Sequence, residues 1–230
     1  MKKIILFSIT IFASLFLVLF FLQKKEFSRR SEIIQKILID INPREAFFNQ
    51  PTLLNISSNC SDFIDIFIDC ATLSVCYEVA SDADYVCRES DGWVEIYFSD
   101  HRLILEKSKT TWSPRESFDF LINVVNAVPT DLSDVMKMPK NAFGELVSLL
   151  AAKAFMYHET EEIFHVKMDH LEMVLERSGK YENLWGAIVY YNDKYYSAVL
   201  FPNDESIQPN KVAKLIASFR IMDFKMEQQK

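Results

Sequence analysis

The sequence predicts an α+β protein in which a single N-terminal transmembrane helix precedes a mainly antiparallel sheet packed with amphipathic helices. Three patterns lead to this fold class. Residues 4–22 form one long apolar run, residues 62–109 and 163–201 alternate as strands do, and several other segments have helical periodicity. After the apolar run roughly 200 residues remain, which is enough to bury the core of one domain or two small ones.

The N-terminal apolar run, Ile4–Leu22, contains no charged residue, no proline and no glycine. As a helix rising about 1.5 Å per residue, it is long enough to cross the roughly 30 Å hydrocarbon core of a bilayer. Residues 1–3 supply the basic Lys2 and Lys3 before it, but no small-residue cleavage site closes it. We therefore expect an uncleaved signal anchor, and a cleaved signal peptide is the alternative.

The location of the rest of the chain is predicted less directly. Basic residues on the two sides of the anchor are nearly balanced, so the short N-terminal tail and the cysteine pattern decide the orientation. We expect residues 23–42 to form a juxtamembrane stalk helix and residues 43–230 to form a domain in the periplasm of a bacterial inner membrane. A sub-boundary near residue 110 is one option, because strands precede it and helices follow it; a single shared sheet is the other.

The cysteine pattern is typical of an exported domain. Its members are Cys60, Cys70, Cys76 and Cys87. An even number of cysteines outside the cytoplasm favours two disulfides, and three pairings are open. No Cys-x-x-Cys element is present, so a zinc ribbon or a thioredoxin-type site is not expected. Free thiols in a cytoplasmic domain are the alternative.

The charge distribution predicts the class of partner. From residue 31 onward the chain has 19 basic and 31 acidic residues, a net charge of −12. Between Cys60 and Asp100 ten residues are acidic and only Arg88 is basic. Such a surface repels nucleic acid and attracts a basic protein, although it could also serve only solubility. The four glycines form no phosphate-binding loop, so we expect neither a nucleotide nor another cofactor.

Residues 62–109 are predicted to form an antiparallel meander. In the first strand the odd residues of 63–69 share one face, and the even residues of 64–68, all isoleucine, share the other. The later strands are placed at Thr72–Val79, Tyr85–Arg88, Gly92–Phe98 and Arg102–Lys107. Residues 42–59 are predicted to be a loop.

The C-terminal half mixes helices with strand pairs. Ser113, Pro114 and Glu116 start a helix with a capping box, and a second helix covers about 141–156. Residues 163–168 and 171–176 are predicted to be a strand pair, although the second segment could be helical. The clearest hairpin turns at Asn192 and Asp193 between strands 184–191 and 195–201. The last helix is placed at Pro209–Phe219.

The densest polar cluster runs from His158 to His170. On a continuous helix His158, Glu162 and His165 would share one face and could ligate a metal ion. The apolar residues between them resemble a strand instead, and the His-Glu-x-x-His motif is absent. A polar connection between a helix and a strand is therefore the favoured interpretation, and a metal site is the alternative.

Two further groups of residues are candidate binding sites. Acidic side chains that could recognise a basic partner or calcium flank a predicted turn; they are Asp82, Asp84, Glu89 and Asp91. Tyrosines flank the Asn192-Asp193 turn and suit an interface, or else pack against one another across the hairpin; they are Tyr190, Tyr191, Tyr195 and Tyr196.

These patterns favour an interaction protein over an enzyme. Neither Gly-x-Ser-x-Gly nor Ser-x-x-Lys occurs, so no nucleophile is placed by a motif. The leading hypothesis is a membrane-anchored protein that binds a basic protein partner through its acidic face, as an immunity protein or an accessory subunit of an envelope complex would. The alternative is a metal- or small-ligand-binding module, or a hydrolase, that uses residues 158–170.

Overall fold

A computed structural model describes the greater part of the 230-residue chain. The described residues are 21–38, 44–57, 60–68, 71–88, 93–107, 113–129, 134, 137–168, 171–181, 184–204 and 206–224. Most of the predicted membrane anchor, residues 4–20, lies outside them. Among the described residues no helix is long and apolar enough to cross a membrane.

The described chain is α+β, as predicted. The helices are α1 (21–38), α2 (Glu45–Phe48), α3 (Tyr77–Ala80), α4 (Pro114–Asn126), α5 (Lys140–Tyr157) and α6 (Pro209–Ala217). The strands are β1 (Thr52–Asn55), β2 (Phe63–Ile68), β3 (Ala71–Cys76), β4 (Asp84–Arg88), β5 (Trp93–Tyr97), β6 (His101–Lys107), β7 (Thr160–Met168), β8 (Leu171–Ser178), β9 (Trp185–Tyr191), β10 (Lys194–Pro202) and β11 (Phe219–Phe224). The predicted stalk helix is helical over residues 23–38, and residues 39–42 lie outside the described part.

The strands form two sheets rather than one meander. Eight of them follow the spatial order β1-β7-β8-β9-β10-β6-β5-β4, and three follow β11-β3-β2. Every pairing is antiparallel except that of β1 with β7, so the large sheet is mixed. Because β6 pairs with β10, strands from both sides of residue 110 share one sheet, which was the second of the two options.

Two sequence predictions for short segments are wrong. Residues 42–59 are not only loop, since they contain α2 and β1. The last helix ends at Ala217, and Phe219 begins β11 instead of continuing the helix. Phe219 has the right spacing for the apolar face of the helix, but it is fully buried from a strand that pairs with β3. In both segments a strand forms because it pairs with another strand that is distant in the sequence.

The main core lies between one face of the large sheet and the small sheet, with α6 beside them. It contains Leu73 and Val75 from β3, Trp185 from β9 and Val212 from α6, all at most 2% exposed. Burying each large apolar side chain stabilises the fold by about 1.5–3 kcal/mol. Because this core covers one face of the small sheet, the opposite face of that sheet is directed away from the core.

Two local predictions are confirmed in detail. Ser113 caps α4: its hydroxyl accepts the backbone N–H of Glu116, whose side chain accepts the backbone N–H of Ser113. The hairpin between β9 and β10 turns at Asn192 and Asp193, with φ of 45° and 57°. Asn and Asp tolerate this left-handed conformation, which two-residue hairpins require.

The chain divides into two compact units. One contains residues 1–42 and 129–156, and the other contains residues 43–128 and 157–230. In the described part of the first unit Arg30 bonds Glu26 at 3.1 Å and the carbonyl of Met138 at 2.9 Å, and its guanidinium lies 4.8 Å from the centre of the Phe143 ring. Both sheets belong to the second unit, which contains the candidate sites below.

Candidate functional site

Five acidic residues of the first half lie on or just after the single-turn helix α3, or at β2, whose start is hydrogen-bonded to α3. Asp62 and Asp65 come from the start of β2, Glu78 lies in α3, and Asp82 and Asp84 follow it; all five are exposed. α3 is only about 6 Å long, so it separates these side chains little. These five residues are called the acidic surface below.

The acidic surface is held in place by backbone and covalent contacts. A disulfide joins Cys60 to Cys76, whose Cα atoms are 5.8 Å apart. Next to it the N–H of Tyr77 donates to the carbonyl of Asp62 at 3.0 Å. The start of β2 and the start of α3 are therefore fixed side by side, which makes the acidic side chains a preformed group.

The disulfide also limits how the four cysteines can pair. Of the three pairings open to four cysteines, only the one that joins Cys60 to Cys76 agrees with the structure. Cys70 and the side chain of Cys87 lie outside the described part of the chain. If all four cysteines are oxidised, those two must form the second disulfide.

The carboxylates of the acidic surface make no ion pair with a described residue, although Asp62 and Asp82 accept hydrogen bonds from the hydroxyls of Ser61 and Ser81 at 3.3 and 3.2 Å. Within the described residues, ion pairs join other carboxylates to basic groups, as between Glu162 and Arg177 at 3.0 Å, but none involves the acidic surface. Two of the predicted residues, Asp82 and Asp84, belong to it. The other two, Glu89 and Asp91, lie outside the described residues.

Large apolar side chains stand exposed beside these carboxylates. Phe67 on β2 is 75% exposed, Tyr77 on α3 is 66% exposed, and Ile64 on β2 is 38% exposed. Exposed aromatic rings next to unpaired charges are typical of binding surfaces. Phe67 and Tyr77 are not among the residues predicted from the sequence, because local patterns do not show which side chains of a strand or a short helix remain uncovered.

A basic side chain, Arg220, lies in one row with Asp65 on the outer face of the small sheet, and aromatic rings hold it. A second, Lys214 on α6, lines a cavity of about 250 Å³ together with Glu78. The guanidinium of Arg220, on β11, lies 3.7 Å from the centre of the Phe63 ring and 4.4 Å from that of Tyr191. It also donates to the hydroxyl of Tyr191 at 3.0 Å. Arg220 thus ties the outer face of the small sheet to the end of β9.

The four predicted tyrosines do not form one patch. Tyr190 and Tyr195 are directly opposite on β9 and β10, and therefore share a face. Tyr191 reaches Arg220 instead, and Tyr196 is buried and donates to the carbonyl of Phe219 at 3.1 Å. Burial raises the pKa of Tyr196 far above its ordinary value. Only Tyr190 and Tyr195 are placed to act together.

The predicted metal residues are not on a helix. Thr160–Met168 is a strand, which removes the helical face that would have aligned them. His158 precedes the strand, Glu162 pairs with Arg177, and His165 lies 3.9 Å from Glu172. Partial burial and the nearby charge of Lys167 lower the pKa of His165, against the opposing effect of Glu172. Among the described residues no three His, Cys, Asp or Glu are arranged to hold a metal ion.

A cleft of about 570 Å³ opens on the face of the large sheet that carries Tyr190. A single row of facing residues crosses β1, β7, β8 and β9 there. These residues are Asn55, Lys167, Glu172 and Tyr190. Arg115 from the first turn of α4 lies 5.1 Å from the centre of the Tyr190 ring and is paired with Asp119 at 2.8 Å. The cleft therefore offers both signs of charge.

A carboxyl group is also buried on β8. Glu176 accepts a hydrogen bond from the hydroxyl of Thr160 at 2.7 Å, and its burial raises its pKa. Gly186 on β9 leaves the space that this side chain fills, since a Cβ there would lie 2.8 Å from Glu176 Oε1. Tyr157 lines the same small cavity of about 110 Å³. Glu176 is a structural element of the sheet rather than part of an open site.

Comparison with known proteins assigns no family to this chain. No protein-family model matches it, and no curated protein is significantly similar to it. The acidic surface and the cleft are therefore the features of the molecule that indicate its function.

Proposed function

We propose that this chain is a membrane-anchored extracytoplasmic interaction protein whose acidic surface binds a basic protein partner. The observation that carries the proposal is a set of five exposed carboxylates that make no ion pair with a described residue and have exposed aromatic rings beside them. Unpaired like charges cost stability through mutual repulsion, so a partner that neutralises them gains affinity.

The cellular setting follows from two sequence features. The apolar run of residues 4–22 supplies the predicted anchor, and the disulfide between Cys60 and Cys76 suits an oxidising compartment such as the periplasm. A protein that neutralises an incoming basic toxin at the membrane fits this setting, as does an accessory subunit of an envelope complex.

The experiment that tests the proposal compares charge-neutralised variants of the full-length protein in its own membranes. The triple variant Asp65→Asn, Asp82→Asn and Asp84→Asn removes three charges of the acidic surface. Tagged protein is captured at low and high salt, the bound proteins are identified by mass spectrometry, and the affinity of a recovered basic partner is measured. We expect an affinity that is weaker by roughly threefold to a hundredfold, since three exposed ion pairs at about 0.2–1 kcal/mol each are lost.

A matched control removes three exposed charges from elsewhere. Glu32→Gln, Glu45→Gln and Glu145→Gln change the net charge equally but leave the acidic surface intact. The proposal requires that this variant retain the partner. Equal loss of the partner in both variants would show that only net charge matters, and the recovery of no salt-sensitive basic protein would refute the proposal.

The cleft beside Arg115 supports a second candidate function, the binding of a small zwitterionic ligand. Lys167 could bind a carboxylate, and Glu172, which faces it across the strands, could accept an ammonium group. Calorimetry with glutamate, lysine and succinate tests this directly. Binding of an amino acid that Lys167→Met weakens at least about tenfold would support it, whereas no heat from any of the three ligands at millimolar concentration would remove it.

A further inference from the structure

We propose that the basic partner binds by adding a β-strand to the free edge of β2. This inference builds on the proposed function and specifies how the acidic surface is used. β2 pairs with β3 along its whole length, from Phe63 to Ile68, and no described residue pairs with its other side. In such a strand about every second residue directs its N–H and C=O away from the sheet, where another chain can pair with them.

β2 has few of the features that protect other sheet edges, since Asp65 is its only charged residue. It has six residues in unbroken register with β3, and none of them is Lys, Arg or Pro. The opposite edge of the same sheet, β11, has a register shift between Ile221 and Asp223. One outer strand of the large sheet, β1, has only four residues. Bulges, short length and charge are the usual protection against unwanted strand pairing, so β2 stands out as an edge that can accept a strand.

The outer face of β2 predicts the pattern of the added strand. Phe63, Asp65 and Phe67 share this face, and Asp65 lies in one row with Ser74 of β3 and Arg220 of β11. A fourth strand would place one residue directly opposite Asp65, and opposite charges stabilise such pairs. The structure therefore predicts a basic residue in the middle and an apolar residue two positions to each side, above the Phe63 and Phe67 rings.

Charge identifies the occupant as a foreign basic strand rather than a second copy of this chain. Two β2 strands paired with each other would bring together segments whose only charged residue is Asp65. Asp62 directly precedes β2 and would add to the repulsion. A strand with Lys or Arg meets a complementary surface instead.

A peptide of defined register tests the inference on the full-length protein in detergent. The probe is acetylated and amidated Lys-Phe-Val-Arg-Val-Phe-Lys, which places Phe, Arg and Phe on one face. A second peptide is identical except that its Val-Arg-Val amides are N-methylated, so that it has the same charge but no N–H there. Affinity is measured by fluorescence anisotropy, and hydrogen–deuterium exchange is followed over residues 60–76.

We expect the unmodified peptide to bind and the methylated peptide to bind at least tenfold more weakly. Binding should slow amide exchange within β2, because its outward N–H groups become paired. Asp65→Asn should weaken binding severalfold, whereas Glu145→Gln, an exposed carboxylate of the other compact unit, should leave it unchanged.

The other outcomes separate strand addition from charge recognition. Equal binding of both peptides without protection of β2 overturns strand addition and leaves the charge-based function intact. Absence of peptide binding, when the capture experiment does recover a salt-sensitive basic partner, likewise overturns strand addition alone. Absence of both overturns the proposed function as well.

Discussion

The two sheets differ in whether the exposed carboxylates at their outer faces form ion pairs with described residues. On the large sheet Arg177 bonds both Glu161 and Glu162, at 3.3 and 3.0 Å, and Arg44 bonds Glu161 at 3.0 Å. Around the small sheet the acidic surface makes no such pair with a described residue. Both regions are exposed and rich in carboxylates, but among the described residues only the first pairs its carboxylates with basic side chains.

This difference separates charges that serve the fold from charges that await a partner. A paired carboxylate gains little from a new cation, because its existing pair must first be broken. An unpaired one contributes its full attraction to association. The proportion of Asp and Glu alone does not make this distinction, since it is similar in both regions; the sequence difference lies in the basic residues, of which residues 60–100 contain only Arg88. The following substitutions test this difference between paired and unpaired carboxylates, in order of decreasing effect on stability.

The largest expected effect is inside the small sheet rather than on its outer face. Leu73→Ala on β3 removes a fully buried side chain, and we expect it to lower the free energy of unfolding by about 3 kcal/mol. Phe67→Ala on β2 removes a larger side chain, but one that is 75% exposed, and should cost about 0.5 kcal/mol or less. Urea denaturation followed by tryptophan fluorescence measures both. A comparable loss in Phe67→Ala would mean that Phe67 serves packing.

Removal of the disulfide should lower the free energy of unfolding by nearly as much. Cys60 and Cys76 are 16 residues apart in sequence, and a cross-link closing a loop of that length stabilises a fold by about 3 kcal/mol. We expect the double variant Cys60→Ser, Cys76→Ser to unfold at lower urea and to exchange the amides of β2 faster. If β2 exchange were unchanged, the disulfide would not be what fixes the acidic surface.

Glu176→Gln should stabilise the large sheet in a pH-dependent manner. Burial raises the pKa of Glu176 in the folded state, so the folded protein binds the proton more tightly than the unfolded chain does. The wild type therefore loses stability as pH rises from below the ordinary carboxyl pKa through the raised one. We expect the variant to be more stable than the wild type at pH 7, and this advantage to disappear near pH 3. Thermal unfolding at a series of pH values measures the difference; a constant difference would contradict it.

The smallest effects distinguish the two outer faces themselves. Arg177→Gln breaks exposed pairs with two carboxylates and should cost about 0.5–1 kcal/mol in low salt, less in high salt. Asp65→Asn breaks no pair with a described residue and should leave stability unchanged or slightly raised, because it relieves repulsion. Equal destabilisation by both substitutions would remove the distinction between paired and unpaired charge.

Much of the fold could be predicted from the sequence where the signal is local. The capping box at Ser113, the left-handed turn at Asn192 and the alternation along β2 each depend on residues a few positions apart. The charge excess of residues 60–100 predicts an acidic surface, and the structure shows that Asp82 and Asp84 are exposed. Phe67 and Tyr77 could not be predicted from the sequence, because their exposure depends on which elements pack beside them in the folded chain.

The helix starts, the hairpin turn and the alternating faces of the strands are specified by local sequence, since backbone conformation and side-chain periodicity are local properties. Strand pairing and burial depend instead on tertiary contacts. Thr52 lies in a strand because it pairs with Phe164. Phe219 lies in a strand rather than in the preceding helix because it pairs with Val75. Tyr196 is buried while its neighbour Tyr195 is not, because only one face of β10 looks toward the core. Partners more than a hundred residues away supply these contacts, and no local pattern specifies which partner a strand will find.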